Sequence, residues 1–201
     1  TEYPTLGIEP VVGDMTEPLA VGDDLPAPAL IAFLGSTIGN FDPPAARRLL
    51  HNIARAMRPG DRFLLGADLR KDPRVIEAAY NDTQGVTAEF NLNVLRVLNR
   101  DLGADFDLRA FEHRAFYDGS LHRIEMHLVS TDDQEVSIPG VGTVRFAGGE
   151  SIRTEISCKY DRESLASLLG MANMRIERWI TDAPASYALV VAARDDKGTN
   201  A

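Results

Sequence analysis

Ala29-Leu30-Ile31-Ala32-Phe33-Leu34, then Gly35-Ser36-Thr37-Ile38-Gly39-Asn40, then Asp42-Pro43 is the stretch that decides the fold. Its first six residues are continuously apolar and stop at a glycine, as expected of a strand buried on both faces in a parallel sheet. The polar segment after them is the loop leaving the strand's C-terminal end. Asp42 followed by Pro43 is a helix start, a carboxylate cap and then proline at the first helical position. Ala46, Leu50, Ile53 and Met57 follow at spacings that lay one apolar stripe along that helix. Pro59-Gly60-Asp61 stops it, and Phe63 to Ala67 is a second apolar strand ending at Asp68. Strand, helix, turn, strand is a βαβ unit, and the fold class is α/β.

Outward from this unit the pattern changes. Upstream, Ile8 to Val12 reads as a short strand with Asp14 just past its end, and Glu17 to Pro28 as an acidic, proline-rich loop. Downstream, Thr87 to Leu102 is apolar nearly all round, which predicts a helix enclosed on most sides. From Phe111 to Lys159 the period becomes two, with turns at Asp118-Gly119, Asp132-Asp133 and Pro139-Gly140, an antiparallel sheet of about four strands. Arg162 to Leu169 is a short helix closed by Gly170, and Arg175 to Ile180 with Tyr187 to Ala193 forms an antiparallel hairpin. The division expected is a core of residues 1–72 and 160–195, an inserted lobe of 73–159, and a disordered tail of 196–201.

Composition narrows the function. The 201 residues are 44% hydrophobic and 25% charged, the balance of one globular domain or of one with a large insertion. Lys plus Arg is 21 against 30 Asp plus Glu, a net charge of −9 with no basic cluster, which argues against nucleic acid as a partner. No apolar run approaches the ~20 residues of a membrane span. A single cysteine makes no internal disulfide and points to a reducing, cytoplasmic setting. Walker loops, Gly-x-Ser-x-Gly elbows and His-Glu-x-x-His motifs do not occur. The four histidines are badly spaced for a metal: His122 and His127 fall on opposite faces of one predicted strand, and His51 lies between stripe positions of a helix.

Two places could carry chemistry. On the strand around Glu155, Ile152, Thr154, Ile156 and Cys158 take one face and Arg153, Glu155, Ser157 and Lys159 the other. Side chains two apart on a strand point the same way at roughly 6.5–7 Å, so Glu155 and Ser157 are an acceptor and a donor aimed at one spot. An imidazole would fit between them, giving its N–H to the carboxylate and accepting the hydroxyl proton at its other nitrogen. On spacing alone a solvated outer face is the commoner reading of such a pair. Cys158, on the apolar face, reads as core. The second place is the loop from Gly35 to Asn40, since ligands of open α/β sheets bind at the carboxyl ends of strands. A plain turn in which Asn40 or Asp42 only caps the helix stands beside that reading. Asp14 could accept from an exocyclic amine.

Phe33 to Asn40, Gly85-Val86-Thr87-Ala88-Glu89-Phe90-Asn91 and Thr154-Glu155-Ile156-Ser157-Cys158-Lys159 together resemble the histidine-specific Nα-methyltransferases of ergothioneine biosynthesis. The resemblance runs from Tyr3 to Arg194 with its motifs in order. It implies a Rossmann-like class I methyltransferase core with an inserted α+β substrate-binding lobe, and S-adenosylmethionine-dependent trimethylation of the α-amine of L-histidine to hercynine. By the same resemblance Asp14 and Met15 would hold the adenine of S-adenosylmethionine. Gly35, shared with the cofactor side, and Asn40 would lie against the amino-acid head, and Tyr80 would bind the carboxylate. Glu155 and Ser157, with Ile156 between them, would grip the imidazole, while Thr87, Phe90 and Met126 wall the pocket; no metal is implied. The family also carries an N-terminal half with the Gly-rich loop, the ribose-binding acid and further pocket aromatics. The chain opens Thr1-Glu2-Tyr3-Pro4 without Met, and is expected to be a fragment that needs that half as a partner and is inactive without it. Two other readings stay open: an N-methyltransferase of another amino acid such as tryptophan, and a non-catalytic remnant serving as a binding or interaction module.

Overall fold

The computed structural model describes residues 7–18 and 26–195. The tail expected over 196–201 and part of the loop expected over Glu17 to Pro28 lie outside the described residues. Strand β1 (Leu30–Phe33), helix α1 (Pro43–Ala56) and strand β2 (Arg62–Asp68) form the expected unit, with β1 and β2 parallel. Asp42 caps α1 by accepting from the Ala45 amide, and Pro43 stands in the first turn. Ala46, Leu50, Ile53 and Met57 are all buried, so the stripe faces the core as its spacing requires. The turn between α1 and β2 is tied to β1 by Asp61, whose carboxylate accepts from the Ala29 and Arg58 amides at 2.7 and 2.8 Å.

The chain returns to this sheet at its end. Helix α4 (Arg162–Gly170) carries a reciprocal cap between Asp161 and Ser164, and strands β8 (Met174–Thr181) and β9 (Tyr187–Arg194) pair antiparallel as expected. The sheet order is β1-β2-β9-β8, and α1 and α4 pack one core on it with Leu50, Phe63, Leu65, Leu165 and Leu169 fully buried. Truncating any of these to Ala removes contacts worth about 2–5 kcal/mol.

Two expectations for this part are corrected. β1 is not buried on both faces: among the described residues it is the sheet's edge, Leu30 and Ala32 are exposed, and only Ile31 and Phe33 reach the core. Both α1 and α4 pack on the face that carries Ile31 and Phe33, and among the described residues nothing covers the other face. Ile8 to Val12 is no strand but an exposed, irregular segment, and Asp14 follows no strand end.

The middle of the chain builds a separate layer. Helices α2 (Pro73–Tyr80) and α3 (Val86–Leu102) lie on a sheet of β3 (Phe111–Asp118), β4 (Arg123–Ser130) and β7 (Ser151–Cys158), ordered β3-β4-β7 and antiparallel. β5 (Gln134–Ile138) and β6 (Gly142–Phe146) form their own hairpin, so the four-strand expectation gives way to three strands and a hairpin, turning where expected. The helix over 86–102 is present but not enclosed. Of its apolar residues Leu95 is buried, while Val86, Phe90 and Val94, a stripe at helical spacing, are exposed. Asp82 caps this helix by accepting from the Thr87 and Val86 amides, and the Thr87 amide and hydroxyl with the Val86 amide hold its carboxyl down at about 2.

Candidate functional site

The two layers meet where strand ends meet. β7 runs past Cys158 alongside the end of β2: Tyr160 donates its amide to the Asp68 carbonyl and receives that of Arg70 on its own carbonyl. The loop after β1 is docked on the same place. Gly35 and Ser36 both have positive φ, which turns the chain sharply, and Ser36 Oγ accepts from the Asp68 amide at 2.9 Å. The 3-10 turn Thr37–Asn40 then presses Gly39 onto β7, where a Cβ would lie 2.8 Å from the Cys158 carbonyl oxygen and 3.2 Å from Ser157 Oγ. Only glycine fits there. The C-terminal ends of parallel β1 and β2, the end of β7 and the C-terminus of α2 thus come together at one place.

At that junction stands a side chain that the strand alternation put on the face of Glu155 and Ser157 without giving it a part. Lys159 is almost wholly buried, and its ammonium reaches Ser157 Oγ at 2.9 Å, Tyr80 Oη at 3.0 Å and Asp68 Oδ2 at 2.9 Å. Three donors meet three acceptors. Asp68 Oδ1 takes the Lys71 ammonium as well; burial alone would push its carboxyl up, but the hydrogen bonds and charges of Lys71 and Lys159 carry it below the usual range. A buried lysine is rare unless paired. The available signal was its position two beyond Ser157, on a strand running on into buried Tyr160.

Glu155 differs from its neighbours. It is half-buried with no hydrogen-bond partner among the described residues, and burial raises its pKa although the Lys159 charge opposes the rise. Ser157 is buried, and apart from accepting from Lys159 its hydroxyl has no partner among the described residues. The same holds for the Tyr80 hydroxyl.

The strand alternation needs one correction. The pairing of β4 with β7 shifts between Met126 and His127: Met126 faces Glu155 while His127 faces Arg153, so Thr154 is an extra residue, a β-bulge. Ile152 therefore shares a face with Glu155 and Ser157, and Arg153 goes to the opposite face with Glu125. Glu155, Ser157 and Lys159 lie beyond the bulge and keep their common side. Thr154 itself turns its hydroxyl to Asn91 of α3 and to the Met126 carbonyl.

The other expected residues divide. Gly35 and Asn40 belong to the docked loop, with Asn40 exposed at its end. Thr87 is half-buried in the first turn of α3, and Phe90 points outward, 65% exposed. Met126 is buried with Ile76, Ala115 and Ile124 beneath α2, next to Tyr80. Ile156 packs into the main core, on the face away from Glu155. Asp14 and Met15 sit on an exposed segment fastened to α1 by the Asn52 amide, which donates to the Thr16 carbonyl. His122 lies in the turn before β4 with positive φ rather than on the strand, and no group of three or more metal-ligating side chains is found among the described residues.

The sequence model of the family described as "Histidine-specific methyltransferase, SAM-dependent" matches residues 1–194. The chain belongs to that family. It is similar to the histidine N-alpha-methyltransferase of Mycolicibacterium smegmatis, 43% identical over 194 residues, covering 96% of this chain and 60% of that protein. The protein of the same name from Mycobacterium tuberculosis is 42% identical over 196 residues with the same two coverages. Among solved structures, the CcbJ methyltransferase of Streptomyces caelestis overlaps 92% of this chain and 67% of its own at 11% identity and a TM-score of 0.49. The chain thus spans about three fifths of the length of the two mycobacterial relatives. No described helix is long and apolar enough to cross a membrane.

Membership in a family that depends on S-adenosylmethionine puts a test to Asp14. Both hydrogen bonds on its carboxylate, from the Thr16 amide at 2.8 Å and hydroxyl at 2.7 Å, fall on Oδ1. Oδ2 has no hydrogen-bond partner among the described residues, which is compatible with an amine donor there.

Proposed function

We propose that this chain is the substrate-gripping part of an S-adenosylmethionine-dependent methyltransferase that converts L-histidine to its Nα-trimethyl derivative, hercynine, for ergothioneine formation. The observation that carries the reading is the pair on β7: a half-buried carboxylate with no partner among the described residues, two residues from a buried hydroxyl whose proton has no acceptor among them. Together they match the two edges of a neutral imidazole, one N–H and one bare nitrogen. Indole offers an N–H and no ring acceptor, which disfavours a tryptophan-like substrate.

Residues 73–159 would then act as a substrate lobe on a core of 1–72 and 160–195. Tyr80 takes the substrate carboxylate, Asn40 and Gly35 border the amino-acid head, Thr87 and Phe90 wall the opening, and Met126 is the floor under Tyr80 and Glu155. Ile156 contributes backbone to the grip. Asp14 with Met15, and Gly35, would hold S-adenosylmethionine, which supplies a methyl carbon already activated by its sulfonium. Histidine held at head and ring keeps its α-nitrogen in reach while the nitrogen turns between successive transfers. Positioning of this kind is worth roughly 7–11 kcal/mol of a barrier. An N-terminal half, matching the part of the relatives that this chain does not cover, would complete the pocket.

The test is titration of the full-length protein with L-histidine and L-tryptophan, followed by mass spectrometry of the product. The reading expects saturable histidine binding, little for tryptophan, and a mass gain of three methyl groups. Preference for tryptophan, or methylation on the ring, overturns it.

A further inference from the structure

Lys159 joins the two ends of the site. Its ammonium donates at once to Ser157 Oγ, placed against the ring, and to Tyr80 Oη, placed against the carboxylate, and Asp68 of β2 takes its third N–H. A hydroxyl has one proton, and an ammonium against its oxygen favours the orientation in which that proton points away. Both hydroxyls are therefore left with a proton to donate to a ligand rather than to Lys159. A buried charge costs several kcal/mol in desolvation, and a plain tie between β2 and β7 already exists in the Tyr160–Asp68 and Arg70–Tyr160 backbone bonds.

We propose that Lys159 is a positioning residue that fixes the proton polarity of the site, so that it accepts L-histidine only with a neutral ring, in the tautomer whose N–H meets Glu155 and whose bare nitrogen meets Ser157. The inference rests on the histidine reading above and deepens it. A charged ring carries an N–H at both nitrogens. It would set a donor against the donating Ser157 hydroxyl and a second positive charge one hydroxyl away from the Lys159 ammonium. Glu155 alone would favour the charged ring; Lys159 reverses that preference. At the other end the same ammonium makes Tyr80 a stronger donor to a carboxylate.

The experiment is 15N NMR of ring-labelled L-histidine bound to the full-length protein at a pH near 6, below the ordinary ring pKa of about 6.5. The expected spectrum has one protonated and one unprotonated nitrogen in slow tautomer exchange. In Lys159→Met the two signals are expected to move toward the charged or averaged pattern, with histidine affinity down about tenfold, or ~1.4 kcal/mol. A doubly protonated ring in the unsubstituted protein overturns the proposal whether or not the variant folds. So does a folded Lys159→Met that keeps both the single tautomer and the affinity. Failure of the unsubstituted protein to bind histidine at all overturns the reading of the site, and the proposal with it.

Discussion

Two carboxylates stand on opposite faces of the same three-stranded sheet, and their surroundings could hardly differ more. Glu125 on β4 is buried and fully engaged: Arg123 pairs with Oε1, His127 Nε2 approaches Oε2 at 3.0 Å, and Arg153 from β7 reaches Oε1 at 3.5 Å. The cluster is sealed by its own neighbours, with the His127 ring stacked on Phe116 at 5.3 Å and its Nδ1 3.0 Å from Ser151 Oγ. Burial pushes the Glu125 carboxyl up, but the His127 and Arg123 hydrogen bonds and the Arg123 and Arg153 charges bring it down on balance. Glu155, one strand over, is half-buried without a hydrogen-bond partner among the described residues, and its burial outweighs the Lys159 charge and moves it up. A carboxylate satisfied within the fold belongs to the frame; one left half-buried and unpaired among the described residues is available to a ligand. The β-bulge at Thr154 makes the separation, because it sends Arg153 to Glu125 and leaves Glu155 without an arginine.

Breaking the closed cluster should have the largest effect. Glu125→Ala leaves Arg123 and His127 buried without their anion, and is expected to cost about 3 kcal/mol of stability, read as a shifted denaturation midpoint, with histidine affinity retained below the melting temperature. The junction between layers comes next. Gly39→Ala drives a Cβ into the Cys158 carbonyl, and because backbone must yield, about 1–3 kcal/mol of stability should go, together with histidine affinity as Ser157 is displaced.

The two carboxylates should also separate by pH. Glu125's folded pKa lies below its unfolded value, so its stabilisation is present above the usual carboxylate range and is lost as pH falls through the folded value. Glu155's lies above, so its contribution is full below the unfolded value and is lost as pH rises through the folded one. Thermal melts across pH 3 to 7 should therefore show Glu155→Gln gaining stability at neutral pH and converging with the unsubstituted protein in acid, while Glu125→Gln flattens the acid limb. The smallest effect is expected at Phe90. Being exposed, Phe90→Ser should change stability by no more than about 0.5 kcal/mol, measured by denaturant titration.

What the sequence disclosed followed the range of the interactions involved. Asp42-Pro43 and the Ala46 to Met57 stripe were legible because a cap and a helical face are local. The Glu155–Ser157 pair was legible because two residues on one strand need no knowledge of the rest. Thr154's bulge was not, since an extra residue in a ladder shows only against its partner strand, and strict alternation misplaced Ile152 and Arg153. Phe90, Val94 and the two-sided burial expected of β1 failed for one reason: hydrophobicity states what a side chain prefers, not whether a neighbour is there to cover it. Lys159 escaped because its partners Asp68 and Tyr80 come from two elements far away in sequence, joined only by the fold.

The most direct measurement is a calorimetric titration of L-histidine into the full-length protein and its Glu155→Ala variant, at a temperature where both are folded. The account predicts a ten- to hundredfold loss of affinity, the ~1.5–3 kcal/mol of a hydrogen bond to a charged group, with a melting temperature that stays level or rises. Unchanged histidine affinity in that variant would contradict it.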